Sequence, residues 1–279
     1  MTDYLIKPNP EHPALSTEMD GLNHLGEPIQ AAVVTEKPLT VYLNSQEVVT
    51  LMTIGDLIDE LAVGFLINQD MLKADDEIIG VDYDTEIETV VVRTRQETNY
   101  EEKLKKKVKT SGCAQGTIFG DIMEKIENVR LHDEMKFQTS NLYTLLKRIA
   151  TTSSLYQKTG GIHGCVLCEQ DVPLIYMEDV GRHNAIDKIA GYMYLNGVTA
   201  KNKVFYTTGR LTSEMVIKTV QMGIPVLLSR SGFTAWGVEL ARNANVTLIG
   251  RAKGKRFYVL SGEHRLVYDA DPEKSSSGR

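Results

Sequence analysis

The strongest constraint on the fold is a regular alternation in the second half of the chain. Short runs rich in β-branched and apolar residues fall at 162–168, 174–178, 204–207, 226–229, 246–249 and 256–260. Stretches with the apolar spacing of one helical face fall between them at 185–195, 212–222 and 235–243. Two strands joined by the turn residues 170–173, then repeated helix–strand units, predict a three-layer α/β/α sandwich on a mixed sheet. Ligands of such sheets gather at the loops beyond the strand ends.

Those loops carry the polar chemistry. Glu178-Asp179-Val180-Gly181-Arg182-His183-Asn184 joins a strand to a helix, so Gly181 allows a tight turn and Arg182 and His183 are expected to project at a helix N-terminus. Thr207-Thr208-Gly209-Arg210, with Ser213 and Glu214 beyond it, repeats the arrangement after the next strand, and Ser229-Arg230-Ser231-Gly232-Phe233-Thr234 repeats it again. Each loop supplies an arginine with glycine and hydroxyl groups at a helix start, a composition suited to phosphate oxygens. Arg251-Ala252-Lys253-Gly254-Lys255-Arg256 adds a fourth basic loop. One such loop is ordinary loop chemistry; four on one sheet edge predict an anion site, with a nucleotide pyrophosphate as the expected ligand.

The first half reads differently. Residues 1–27 show no period and read as a flexible leader; 29–35, 39–44 and 47–53 read as a small meander. Asp56 is placed to cap a helix whose apolar face is Leu57, Ile58, Leu61, Phe65 and Leu66. Strands are expected at 78–83 and 87–94, a helix at 120–129, and an amphipathic helix on Leu142, Leu145, Leu146 and Ile149 capped by Thr139 or Ser140. The expected organisation is a leader over 1–27, an α+β domain over 28–130, the sandwich over 131–270 and a tail over 271–279.

The α+β part ends in Lys-Val-Lys-Thr-Ser-Gly-Cys-Ala-Gln-Gly, residues 107–116. Thr110, Ser111, Gly112, Ala114 and Gly116 cannot shield the Cys113 sulfur, and Lys103, Lys105, Lys106, Lys107 and Lys109 favour thiolate over thiol. A reactive nucleophile and an incidental surface cysteine below a solvated lysine run both fit this stretch taken alone. Cys165-Val166-Leu167-Cys168 has metal-site spacing, yet residues three apart on a strand face opposite sides, so two buried free thiols are expected there. His163 reads either as a ligand neighbour or as a hydrogen-bonded core histidine.

Charge separates the halves: residues 1–130 hold 12 basic against 24 acidic side chains, and residues 131–279 hold 19 against 13. The basic half, not the whole surface, is then the part that meets an anion. No run approaches the ~18 apolar residues of a spanning helix. Three cysteines and no basic-then-apolar leader point to a reducing, cytoplasmic setting, with neither membrane nor nucleic acid as a partner.

The segments EDVGRHNAIDK (178–188), TGRLTSEMV (208–216) and SRSGFTAWGVELA (229–241), with the upstream cysteine loop, closely resemble the FdhD family of formate dehydrogenase accessory proteins. The similarity runs from about Pro28 to Tyr268. It implies a cytosolic homodimer whose C-terminal domain has a cytidine deaminase-like fold. It also implies a sulfurtransferase role: a sulfur carrier that accepts a persulfide from a cysteine desulfurase and passes it to the bis(molybdopterin guanine dinucleotide) cofactor before insertion into formate dehydrogenase. By position the persulfide falls on Cys113 and the basic cofactor-binding loop on Arg251 to Arg256; GDP-like ligands are expected to mimic the cofactor's nucleotide ends. Relatives often carry a second loop cysteine where this chain has Gly116, which leaves Cys113 to act alone, and Phe233 stands where proline is common.

A deaminase-like fold raises zinc hydrolysis as a rival, which needs H-x-E and P-C-x-x-C at two strand ends. The first slot reads His183-Asn184-Ala185, and Thr207 to Glu214 contains no cysteine, so no zinc is expected. A second function class is a non-catalytic chaperone that delivers the nucleotide cofactor with Cys113 dispensable.

Overall fold

The computed structural model describes residues 4–73, 76–95, 129–131 and 134–271, and 107–109 and 116–118 for their backbone alone. The chain opens with an antiparallel hairpin, β1 (Ser16–Leu22) against β2 (Pro28–Val34). Its turn is closed by Asn23, whose Oδ1 accepts from the backbone of Leu25 and Glu27 at 2.9 and 3.0 Å. Upstream, Ile6 bridges to Ile175, and Leu5 N donates to Leu174 O at 2.8 Å. The expectation of a flexible leader over 1–27 therefore fails over the described residues 4–27. Its strand alternates Met19 with Glu18 and Asp20, too few apolar positions to register as a period.

A four-stranded sheet follows in the order β4-β3-β6-β5, from β3 (Lys37–Leu43), β4 (Gln46–Thr53), β5 (Ile78–Asp84) and β6 (Thr89–Thr94). The strands fall where their β-branched runs predict. The meander does not form, because β2 pairs with β1 and leaves β3 beside β6. Between them α1 (Ile58–Asn68) begins without the Asp56 cap: Leu57 takes a left-handed φ of 49°, and Asp56 reaches the buried Lys188 instead, at 2.5 Å. A short backbone pair, β7 (Lys107–Lys109) with β8 (Gly116–Ile118), precedes the second half; Cys113 and all but the last residue of the helix expected at 120–129 lie outside the described residues.

The second half begins with β9 (Phe137–Gln138), α2 (Thr139–Thr151) and the five-residue α3 (Leu155–Thr159). Thr139 and Ser140 lie inside α2 and do not cap it. Asp269 does so from the other end of the chain, accepting from Ser140 N at 3.0 Å and from both hydroxyls. β10 (His163–Glu169), β11 (Val172–Asp179), α4 (Arg182–Leu195), β12 (Lys203–Thr207), α5 (Ser213–Gln221), β13 (Val226–Ser229), α6 (Ala235–Asn243), β14 (Thr247–Lys253) and β15 (Arg256–Ser261) follow, with β16 (Leu266–Val267) returning to β9.

The six long strands form one mixed sheet in the order β11-β10-β12-β13-β14-β15, with β12, β13 and β14 parallel and the outer pairs antiparallel. Cys165, Leu167, Phe205, Leu227 and Leu248 pack with α4, α5 and α6 on one face, while Val166, Cys168, Tyr206, Leu228 and Ile249 pack with α2 on the other. Helices thus cover both faces, and Cys165 and Cys168 are buried on opposite sides as a strand requires. The first of these clusters also contains Leu39, Val41, Leu61, Leu66 and Val90 from the N-terminal sheet and α1.

α1 meets α4 with almost no gap. A Cβ on Gly64 would lie 1.7 Å from Asp187 O, and one on Gly191 would lie 1.9 Å from Glu60 O. Glycine at both positions lets the two helix backbones touch. Around this crossing, buried Lys188 pairs with Asp56 and Asp179, and Asp187 pairs with Lys218 at 2.7 Å while accepting from Asn68.

Candidate functional site

Topology brings the chemistry to one edge. Because β12, β13 and β14 run parallel, Thr207, Ser229 and Lys253 end on the same side of the sheet. β10 runs against β12 and β11 against β10, so the start of β10 at His163 and the end of β11 at Asp179 arrive there too. The loops that follow are sewn together. Ser229 Oγ donates to Gly209 O at 2.6 Å and accepts from Ser231 N at 2.9 Å; Leu211 N donates to Gly232 O, and Arg251 N donates to Ser231 O at 2.7 Å. These hydrogen bonds hold the arginine-bearing loops in a fixed relation.

The candidate residues divide by depth. Arg210, Arg230, Arg251, Lys253 and Arg256 are exposed along the edge, and Lys255 is half-buried. Two of the guanidinium groups are steadied on rings, Arg230 over Tyr156 at 5.4 Å and Arg251 over Tyr258 at 5.6 Å. Residues 251–256 are not a free loop: they are the ends of β14 and β15 joined by a tight turn at Gly254, φ 59°. The ladder is irregular between Gly250 and Lys253; Arg251 takes φ 53° there, and Ala252 is buried.

Arg182 and His183 lie beneath this row. Arg182 is buried, with its side chain packed under Gly209, where a Cβ would fall 2.7 Å from Arg182 Cδ. His183 Nε2 stands 3.2 Å from Glu214 Oε2. Burial first, then Lys218 and Arg182, holds the His183 ring well below its ordinary pKa. The helix N-terminus expected to project them is instead turned into the protein, because Asn184 anchors it to Met52 O at 2.7 Å and Asp179 Oδ1 at 2.9 Å.

Two parts of the edge have no local sequence signal. Tyr156, on the unforeseen α3, is the platform for Arg230. Glu178 is buried and accepts from Leu155 N and Tyr156 N at 2.8 and 2.9 Å, tying α3 to the end of β11 across more than twenty residues. Burial pushes its carboxyl up to about 7, against the pull of those two N–H groups. Phe233 is explained as well: its ring lies where a Gly250 side chain would be, with a Cβ there 2.4 Å from Phe233 Cζ.

The edge is chemically a row of exposed cations over hydrogen-bonded loops, two of them resting on rings, an arrangement with the chemistry to receive an anion. The family model described as FdhD/NarQ matches residues 34–267. The chain is 31% identical to "Sulfur carrier protein FdhD" of Bacillus subtilis over 85% of this chain and 91% of that protein. It is 30% identical to the protein of the same name in Listeria innocua, over 86% of this chain and 93% of that one. Among solved structures, a formate dehydrogenase accessory protein from Desulfotalea psychrophila matches with a TM-score of 0.74 and 25% identity, covering 91% of this chain and all of that one. On its motifs, its mixed α/β fold and the span of these matches, the chain belongs to the FdhD/NarQ family.

Proposed function

We propose that this protein is a sulfur carrier, a sulfurtransferase that serves formate dehydrogenase. The Cys113 thiolate attacks the persulfide of a cysteine desulfurase, takes the terminal sulfur and releases the desulfurase thiolate. The outer sulfur then passes to the molybdenum of bis(molybdopterin guanine dinucleotide), held by its nucleotide ends at the arginine-lined edge; the S–S bond breaks, Cys113 leaves as thiolate, and the reduced metal supplies the two electrons, before that cofactor enters the dehydrogenase. A cytidine deaminase-like layering of the second half and a homodimer belong to the same reading.

One observation supports the cofactor half above others: Arg210, Arg230, Arg251, Lys253 and Arg256 are all exposed at one strand-end edge. Two parallel guanidinium N–H groups match two oxygens of a phosphate, and rings under Arg230 and Arg251 cut the freedom lost on binding. The sulfur half rests on the lysine-flanked, glycine-lined setting of Cys113 in the sequence and on the shared name of the relatives. Incubation with desulfurase and cysteine, followed by intact mass measurement, tests it. A sulfur adduct that vanishes in Cys113→Ala is expected; a wild-type protein that takes up no sulfur rejects the carrier reading.

A further inference from the structure

His163 opens β10 at the same edge, and its ring is fixed from one side. Thr208, just past the end of β12, donates its N–H to Gly164 O at 2.9 Å and accepts from Gly164 N on Oγ1 at 3.1 Å. The same hydroxyl lies 3.3 Å from His163 Nδ1. The residue is half-buried, and among the described residues its ring is hydrogen-bonded at Nδ1 alone. The groups that face the ring are cationic or neutral: Arg182 and His183 from α4, Arg210 from the loop after Thr208. Asp179, opposite His163 in the ladder, is taken by Lys188, Asn184 and Thr53.

We propose that His163, protonated at Nε2 and oriented by Thr208 at Nδ1, donates a directional hydrogen bond to a phosphate oxygen of the ligand held beside Arg210. The inference rests on the anion site of the proposed function and adds to it a residue that selects by geometry instead of by charge. Arginines along the edge attract any polyanion; a neutral donor at a fixed place rewards only an oxygen that reaches it. Burial, Arg182 and Arg210 keep the ring below its ordinary pKa, so near neutral pH it acts as a donor and not as a cation. A bound anion opposes that shift and favours the protonated ring, so binding is accompanied by proton uptake on the acid side of neutrality.

Calorimetry with GDP as the probe tests the assignment. His163→Phe keeps the ring and removes the donor, and is expected to weaken GDP about tenfold. His163→Gln, whose amide reaches the place of Nε2, restores most of the affinity, and Thr208→Val, which leaves the ring unfixed, gives a smaller loss. At pH 6, in buffers of different ionisation enthalpy, wild-type binding takes up protons and the His163 variants lose that uptake. Wild-type affinity and proton uptake in His163→Phe, with Arg251→Ala/Arg256→Ala still weakened, overturns the role of His163 and leaves the edge standing. Unchanged affinity in the arginine variant, or no GDP binding by the wild type, removes the site itself and this inference with it.

Discussion

Glu178 shows how one side chain can serve the edge without touching a ligand. Its carboxylate caps α3, and α3 carries Tyr156, on which Arg230 rests. The cap is held at a cost, because burial raises the carboxyl to about 7 from an ordinary value near 4.5. The folded state then binds a proton more readily than the unfolded chain between those values, so this group makes stability fall as pH rises from about 4.5 to 7. Above pH 7 the penalty stays constant, at most roughly 3 kcal/mol. Glu178→Gln cannot ionise, and it keeps one acceptor oxygen for two N–H groups. Denaturant melts should therefore show the variant near wild type at pH 5, where the buried carboxyl is itself protonated, and gaining on wild type by pH 8. A gap that does not change with pH would mean that Glu178 does not titrate in this window.

At the scale of elements, the crossing of α1 and α4 is what joins the N-terminal sheet to the larger one. Gly64 and Gly191 let backbone meet backbone, and the resulting contact places Asp56, Asp187, Lys188 and Lys218 where their charges pair out of water. Gly64→Ala has no room, since its methyl would meet Asp187 O and Gly191 N. The helices must part, and a loss of about 3 kcal/mol is expected in denaturant melts. Gly21→Ala, on the open β1 strand with nothing near it, should change stability little and serves as the control. This crossing also explains what could be read in advance. The strands of the large sheet and α6 were legible because each is an uninterrupted run of one period, and their shared edge follows from the parallel order alone. The caps were not: Asp56 has the right type and place, but Lys188, buried and 132 residues away, claims it, while α2 takes its cap from Asp269. α3 and the β1–β2 hairpin escaped for a related reason, since their partners are Glu178 and a mini-core of Leu15, Ile54, Leu155 and Ile162 drawn from four parts of the chain. Arg182 and His183 were legible as edge residues but not as buried ones, because their depth is set by Gly209, Glu214 and Met52 on other elements.

Across the whole molecule, the two halves of the proposed function fall on separate pieces of chemistry. In that proposal sulfur loading uses a thiolate at Cys113, in the lysine-rich stretch of the acidic half, and anion binding uses the guanidinium row of the basic half. Each can then be removed without the other. Cys113→Ser should lose the sulfur adduct in intact mass measurement while holding GDP within about twofold of wild type, because GDP presents only the nucleotide end of the cofactor. Arg251→Ala/Arg256→Ala should still load sulfur from a desulfurase but bind GDP at least about tenfold more weakly. The deficit should shrink as salt is raised from low concentration to about 0.5 M, since exposed charges are screened over a few ångströms there and the wild type loses its advantage first. Weakening of GDP by Cys113→Ser as severe as that of the arginine variant would mean that loop and edge form a single binding unit, and loss of sulfur loading in the arginine variant would mean that the edge is where the desulfurase docks.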